Sequence, residues 1–206
     1  MKVDHIVLVA SDLTSGCDEF ESLTGVRPAY GGQHSDGRTE NALSSLGNRQ
    51  YLEILTARKA ADDSDAWIRF CRASKRLRVL TICLAPEEGL GAMAQRAREL
   101  GLLNTDIVDG SRIRPDGTEL AWQLCKPQHL VFEDRFPFFI QWSNASHPSD
   151  DAPGGLRLEA VSLHHPKADV LAPLFESLGL PLSVHDSDDV AYQVRLAGPA
   201  GPLVLG

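Results

Sequence analysis

The sequence predicts an α+β fold of repeated βαβββ modules with curved mixed sheets, and three observations carry that prediction. A strand followed by a helix occurs three times. Val3 to Val9 leads to a helix closing on Ser22-Leu23-Thr24-Gly25-Val26. Arg78 to Leu84 leads to one closing on Glu99-Leu100-Gly101-Leu102, and Leu158 to Leu163 to one closing on Ser177-Leu178-Gly179-Leu180. Further strand patterns follow the first two helices. The loops echo as well, Asp36-Gly37-Arg38-Thr39-Glu40 against Asp116-Gly117-Thr118-Glu119. Paired modules enclose a cleft in which residues at matching positions can meet one ligand. The expected units are a first module at 1–57, a connecting helix at 58–77, a second module at 78–143, a linker at 144–155 and a third, partial module at 156–206.

In the first unit, His5, Val7 and Val9 alternate with Ile6 and Leu8, the period of a strand. Ser11 or Asp12 caps a helix whose apolar positions Leu13, Cys17 and Phe20 recur at helical spacing, and Gly25 ends it. A glycine turn at Gly31-Gly32 leads to strands from Thr39 to Leu46 and from Gln50 to Leu55, joined by Gly47-Asn48. Ala60 to Arg76 reads as a helix with acids first and bases last, which suits the helix dipole. The second unit repeats the order: a strand to Leu84, a helix opening at Pro86-Glu87-Glu88 with Leu90, Met93, Ala97 and Leu100 on one stripe, then strands near Asp106 to Val108, Thr118 to Leu124 and Phe138 to Ser143. Asn144 to Gly155, rich in Ser, Asp, Pro and Gly, is the linker. The third unit has no fourth to pair with, so its open face or edge would be covered in a homodimer.

The chain of 206 residues, 43% hydrophobic, is long enough for a full core. A formal charge of -8 leaves no basic surplus for phosphate neutralisation and argues against nucleic acid as a partner. The four cysteines, Cys17, Cys71, Cys83 and Cys125, lie in apolar contexts without Cys-x-x-Cys spacing and read as reduced and structural. No apolar run approaches the roughly 20 residues of a membrane helix, and Met1-Lys2 leads straight into a strand, so a cytoplasmic location is expected. The sequon Asn144-Ala145-Ser146 is read as chance.

Chemistry gathers at the end of the first unit. Tyr51, Glu53 and Leu55 share a strand face, and an ionised Glu there needs a cationic or hydrogen-bonding partner. His5 interrupts the first strand in the same way. An imidazole and a carboxylate converging from two strands make half of a divalent-metal site, and a His5–Glu53 ion pair satisfies the same argument.

The arrangement resembles the vicinal oxygen chelate superfamily, home of glyoxalase I, extradiol dioxygenases and bleomycin-resistance proteins. Asp4-His5-Ile6-Val7-Leu8, Gly31-Gly32-Gln33-His34 with Gly37 and Thr39, Asn41-Ala42-Leu43, Tyr51-Leu52-Glu53, Gly110-Ser111-Arg112 with Arg114 to Thr118, and Pro137 to Trp142 followed by His147-Pro148 are similar to its glyoxalase-like domain subgroup. The resemblance implies metal ligands on the first and last strands of each module. His5 and Glu53 match, whereas Thr81 and Gln141 stand where the second pair would be, and neither replaces a charged or imidazole ligand.

His34, after the glycine pair, can supply a third ligand, and His5, His34 and Glu53 then form a two-His-one-carboxylate metal set. A metal-free dyad with Glu53 as general base and His5 or His34 as acid stays open, as does an exposed His34 with no role. Glu53 and His34 are accordingly the candidate catalytic residues. Arg112 can clamp a carboxylate or phosphate, with Gln141 and Trp142 lining the pocket.

The resemblance implies an enzyme of lyase, isomerase or oxygenase type, acting on a small oxygen-rich metabolite through a divalent metal. The alternative is non-catalytic binding or sequestration of a small molecule. Gly89 to Ala94 fits a dinucleotide fingerprint loosely, but Glu87 and Glu88 would repel a pyrophosphate. His164 and His165 are adjacent on a strand and point to opposite faces, so they read as a strand end rather than a metal pair. His129 and His185 sit in polar stretches without signal.

Overall fold

The computed structural model describes residues 1–132, 135–143 and 146–206. The sequon at Asn144 and part of the expected linker lie outside them. The first unit holds β1 (Lys2–Val9), α1 (Leu13–Thr24), β2 (Ala29–His34), β3 (Thr39–Gly47) and β4 (Gln50–Ala57), followed by α2 (Ala66–Ala73). The second holds β5 (Arg78–Ala85), α3 (Leu90–Glu99), β6 (Ile107–Ile113), β7 (Glu119–Cys125) and β8 (Phe138–Trp142). The third holds β9 (Arg157–His165), α4 (Ala168–Leu178), β10 (Ser183–Asp186), β11 (Ala191–Gly198) and β12 (Gly201–Leu205).

Eight strands close into a barrel in the order β1-β4-β3-β2-β6-β7-β8-β5. Within each half the first and last strands pair in parallel, β1 with β4 and β5 with β8. The halves join through two antiparallel seams, a long one between β1 and β5 and a short one between β2 and β6. The last four strands form a second sheet, β10-β9-β11-β12. The fold is therefore the mixed, curved α+β architecture that the repeats predict.

Strand alternation sorts the side chains into two cores. Val7, Val9, Leu55, Cys83, Leu120, Trp122, Phe138 and Ile140 share the smaller one, and β1, β4, β7 and β8 contribute alternate residues to it. The larger core unites Ile6, Leu8, Phe20, Ile54, Met93 and Phe139 with Phe175, Leu163 and Tyr192, so the three units and their helices share one apolar layer. Asp12 caps α1 by accepting from Ser15 N at 2.8 Å, and Gly25 ends it in a left-handed conformation. All four cysteines are free and buried.

Four elements differ from the sequence reading. Helix α2 is eight residues long rather than the stretch from Ala60 to Arg76, because Asp65 caps it and Asp62 folds the preceding acids into a turn with Ser64. Strand β6 extends to Ile113, through Asp109, Gly110, Ser111 and the buried Arg112, polar or small residues that give no apolar period. Gly31-Gly32 is a bulge within β2 rather than a turn. His185 lies on strand β10, beside His164. No helix among the described residues is long and apolar enough to cross a membrane.

Candidate functional site

The site begins with a fault in β1. The strand bulges between Val3 and His5, opposite Leu84 and Cys83 of β5. An extra residue breaks the in-out alternation, so Asp4 and His5, neighbours in sequence, can meet side by side. His5 Nδ1 donates to Asp4 Oδ1 at 2.8 Å. Trp142 Nε1 and His147 Nε2 donate to Asp4 Oδ2 at 3.1 and 3.3 Å. His147 Nδ1 accepts from Ser149 N, which leaves the ring proton on Nε2, facing Asp4. Burial works against the Asp4 charge, but the bonds from His147 and His5 prevail and hold its carboxyl well below the usual range.

Glu53 reaches the same region from β4, where it shares a face with Tyr51. It is only 7% exposed. Asn41 Nδ2 donates to Glu53 Oε1 at 2.5 Å. His5 Nε2 lies 3.7 Å from Oε2 and His34 Nε2 lies 3.7 Å from Oε1, each beyond hydrogen-bond range. Burial opposes the Glu53 charge, yet His34, His5 and the Asn41 bond bring its pKa below the ordinary value. The His5 ring stacks on Tyr51 with centroids 4.5 Å apart. His34 is tied through Nδ1 to Thr39 Oγ1 at 2.6 Å, and burial pushes its pKa down, favouring the neutral imidazole.

The glycine bulge brings His34 here. A side chain at Gly32, whose φ is +125°, would put its Cβ 2.3 Å from the Ile113 carbonyl oxygen, and one at Gly31 would come 2.3 Å from Asn41 Oδ1. Glycine thus lets β2 press against β6, where His34 faces Arg112 in register. Arg112 is buried and donates to the Gly31 carbonyl.

The structure therefore brings His5, His34, Glu53, Arg112 and Trp142 into one neighbourhood. Gln141 stands apart: it is exposed, and its Oε1 accepts from Leu90 N at the start of α3. Thr81 donates to the carbonyls of Arg135 and Phe136. His164 and His165 diverge, the first beside His185 and the second against Phe132. The sequence reading gave no role to Asp4, Asn41, Tyr51 or His147. An acid inside an apolar strand is as strong a signal at Asp4 as at Glu53, but simple alternation places it opposite His5. His147 is marked only by the His147-Pro148 pair of the resemblance, which attaches no role to it.

Two donor sets bear on a metal ion. Among the described residues, ligand atoms of Asp4, His5 and Cys83 all lie within 4.8 Å of one another. Burial raises the Cys83 thiol well above its ordinary pKa, and Asp4 is already committed to three donors, so this set is a poor ligand shell. The set His5, His34 and Glu53 fits better in chemistry. Each imidazole has its Nδ1 held by a neighbour, Asp4 or Thr39, as metal-binding histidines usually do, and turns Nε2 toward the carboxylate. Both imidazoles stand 3.7 Å from Glu53, but the ligand atoms of the three residues do not all lie within 4.8 Å of one another, so the set is not closed around a single point. His5 and His34 approach different oxygens of Glu53, so one shared ion would draw them together.

Two cavities lie nearby. One of 290 Å³ sits between α2 and the second sheet and is lined in part by Trp67, Phe70, Arg135 and His165, without His5, His34 or Glu53. A smaller one of 70 Å³ is bordered by Gly31, Leu43, Arg112 and Arg114.

Residues 3–179 match the family model of the glyoxalase-like domain. Among solved structures, a hypothetical protein from Staphylococcus aureus aligns over 98% of this chain and 84% of its own, at 16% identity and a TM-score of 0.66. A Streptomyces coelicolor methylmalonyl-CoA epimerase in complex with 2-nitronate-propionyl-CoA aligns over 70% of this chain and 99% of its own, at 14% identity and a TM-score of 0.49. At such identities the Staphylococcus aureus match speaks to the fold alone. No curated protein matches the chain.

Proposed function

This chain belongs to the glyoxalase-like domain family, within the vicinal oxygen chelate superfamily, and from that membership and the Glu53 cluster we propose that it is a metal-dependent enzyme. Its substrate is a small oxygen-rich metabolite, and its reaction is of lyase, isomerase or oxygenase type. The observation that carries the reading is a buried carboxylate set between two imidazoles whose other nitrogens are already bound.

His5, His34 and Glu53 would hold the ion, which supplies Lewis-acid polarisation of a substrate carbonyl or enediolate oxygen. Asp4 fixes His5 in the tautomer with its proton on Nδ1, keeping Nε2 pointed at Glu53. Asn41 fixes one oxygen of Glu53; the other, Oε2, takes no hydrogen bond among the described residues and is the atom able to accept a proton. In the alternative without an ion, Glu53 is the base and His34, whose Nε2 lies 3.7 Å from Oε1, the acid of the dyad. Arg112 adds positive charge beside the cluster and orients an anionic substrate group.

Protein purified without a histidine tag, analysed for zinc, nickel, manganese and iron, tests the reading. One equivalent of metal is expected in the wild type, falling at least tenfold in Glu53→Gln. Absence of bound metal, together with no thermal stabilisation on adding any of the four ions, would overturn it.

A further inference from the structure

We propose that the 70 Å³ cavity beside Arg112 is a binding site for a small oxyanion, the carboxylate or phosphate group of a ligand. The inference deepens the preceding reading by giving the substrate an anionic end, and it rests on that reading only for the identity of the ligand.

The walls of the cavity include Gly31, Leu43, Arg112, Arg114, Asp151 and Ala152. Two guanidinium groups therefore border a space of about two water volumes, the scale of a carboxylate or phosphate group. Arg114 Nη1 pairs with Asp151, but Arg114 Nη2 is buried and has no hydrogen-bond partner. A buried charged donor left without an acceptor is unfavourable, and native structures normally satisfy such a group. Asp151 meets only Nη1 and is itself 71% exposed, so Nη2 is left for another acceptor. Arg112, buried on the other wall, has the Gly31 carbonyl as its hydrogen-bonded partner among the described residues, and that carbonyl is neutral.

The geometry also connects the cavity to the reactive cluster. Gly31, which Arg112 binds, lies against Asn41, and Asn41 binds Glu53. Leu43, on the cavity wall, is the cross-strand partner of Glu53. Planar guanidinium groups suit carboxylate and phosphate oxygens, which accept two parallel N–H bonds.

The test uses the full chain and two probes, inorganic phosphate and acetate, with chloride at equal ionic strength as control. Thermal unfolding and calorimetry should show saturable binding of at least one probe. Arg114→Gln and the cavity-filling Ala152→Phe should each weaken it at least tenfold, the second without removing a charge. Asp151→Asn, which removes the competing carboxylate, should strengthen it by about three- to fivefold. Both probes binding no better than chloride would overturn the proposal, as would binding unchanged by Arg114→Gln and Ala152→Phe. Binding abolished by Glu53→Gln would place the anion at the reactive cluster and also end it. Anion binding in a protein that carries no metal as purified and is stabilised by none of the four ions would sink the metal reading and leave this site standing. Metal retained without anion binding would do the reverse.

Discussion

Asp4 is the residue on which the cluster turns, because it receives His5, His147 and Trp142 at once. Asp4→Asn would keep the volume but leave these donors facing a neutral amide, and loss of one member of a buried charged network destabilises by about 3 kcal/mol or more. The pH dependence in chelator-treated protein follows from the directions of the shifts. His34 has a depressed pKa, so its contribution is complete above the unfolded histidine value of about 6.5 and is lost as pH falls. Asp4 and Glu53 are also depressed, so their contributions are present above the unfolded carboxylate values near about 4 and disappear below them. Urea midpoints should therefore decline in two stages on acidification. The second stage should be shallower in Asp4→Asn; equal slopes below pH 4 in both proteins would show that Asp4 is not the group titrating.

At the scale of elements, two strand faults place the site, and they mark where the sequence was and was not legible. The repeats, the helix ends at Gly25 and Gly179 and the inward faces of β1 and β4 follow from periodicity, which is why His5 and Glu53 could be paired from sequence. Bulges have no period. The one in β1 turns Asp4 to His5, and the one in β2 delivers His34, so only the glycines betrayed the second. Gly32→Ala should drive a methyl group into the Ile113 carbonyl at a left-handed backbone position, opening the β2–β6 seam. A loss of about 2 kcal/mol or more in chemical denaturation is expected, with metal content reduced alongside. Gln141 makes the opposite case. Alignment with the second unit's last strand suggests a pocket residue, but strand alternation turns it outward to cap α3. Gln141→Ala should cost about 1 kcal/mol of stability and leave metal content unchanged; loss of metal would return it to the site.

The molecule as a whole is bound together at the position where the second unit departs from the metal-ligand pattern. Thr81 of β5 and Tyr192 of β11 both donate to the Arg135 carbonyl, at 3.0 and 2.8 Å, so a barrel strand and a strand of the second sheet hold one peptide between them. The Arg135 guanidinium reaches on to the carbonyls of Leu80 and Val190. Around this point Leu163, Phe175 and Tyr192 share an apolar layer with Ile82 and Phe139 of the barrel. Such a continuous core predicts that barrel and second sheet unfold in one transition. The tryptophans provide the means to see it, since Trp67, Trp122 and Trp142 all belong to the barrel strands or to α2. Leu163→Ala removes a fully buried side chain from β9 and should lower stability by about 2–5 kcal/mol. If the two sheets are one cooperative unit, tryptophan fluorescence and far-ultraviolet circular dichroism must move to the same lower urea midpoint, although no tryptophan lies on the altered sheet. A fluorescence transition that stays in place while the dichroism splits in two would mean that the second sheet folds independently, and that the Arg135 peptide does not couple it to the site.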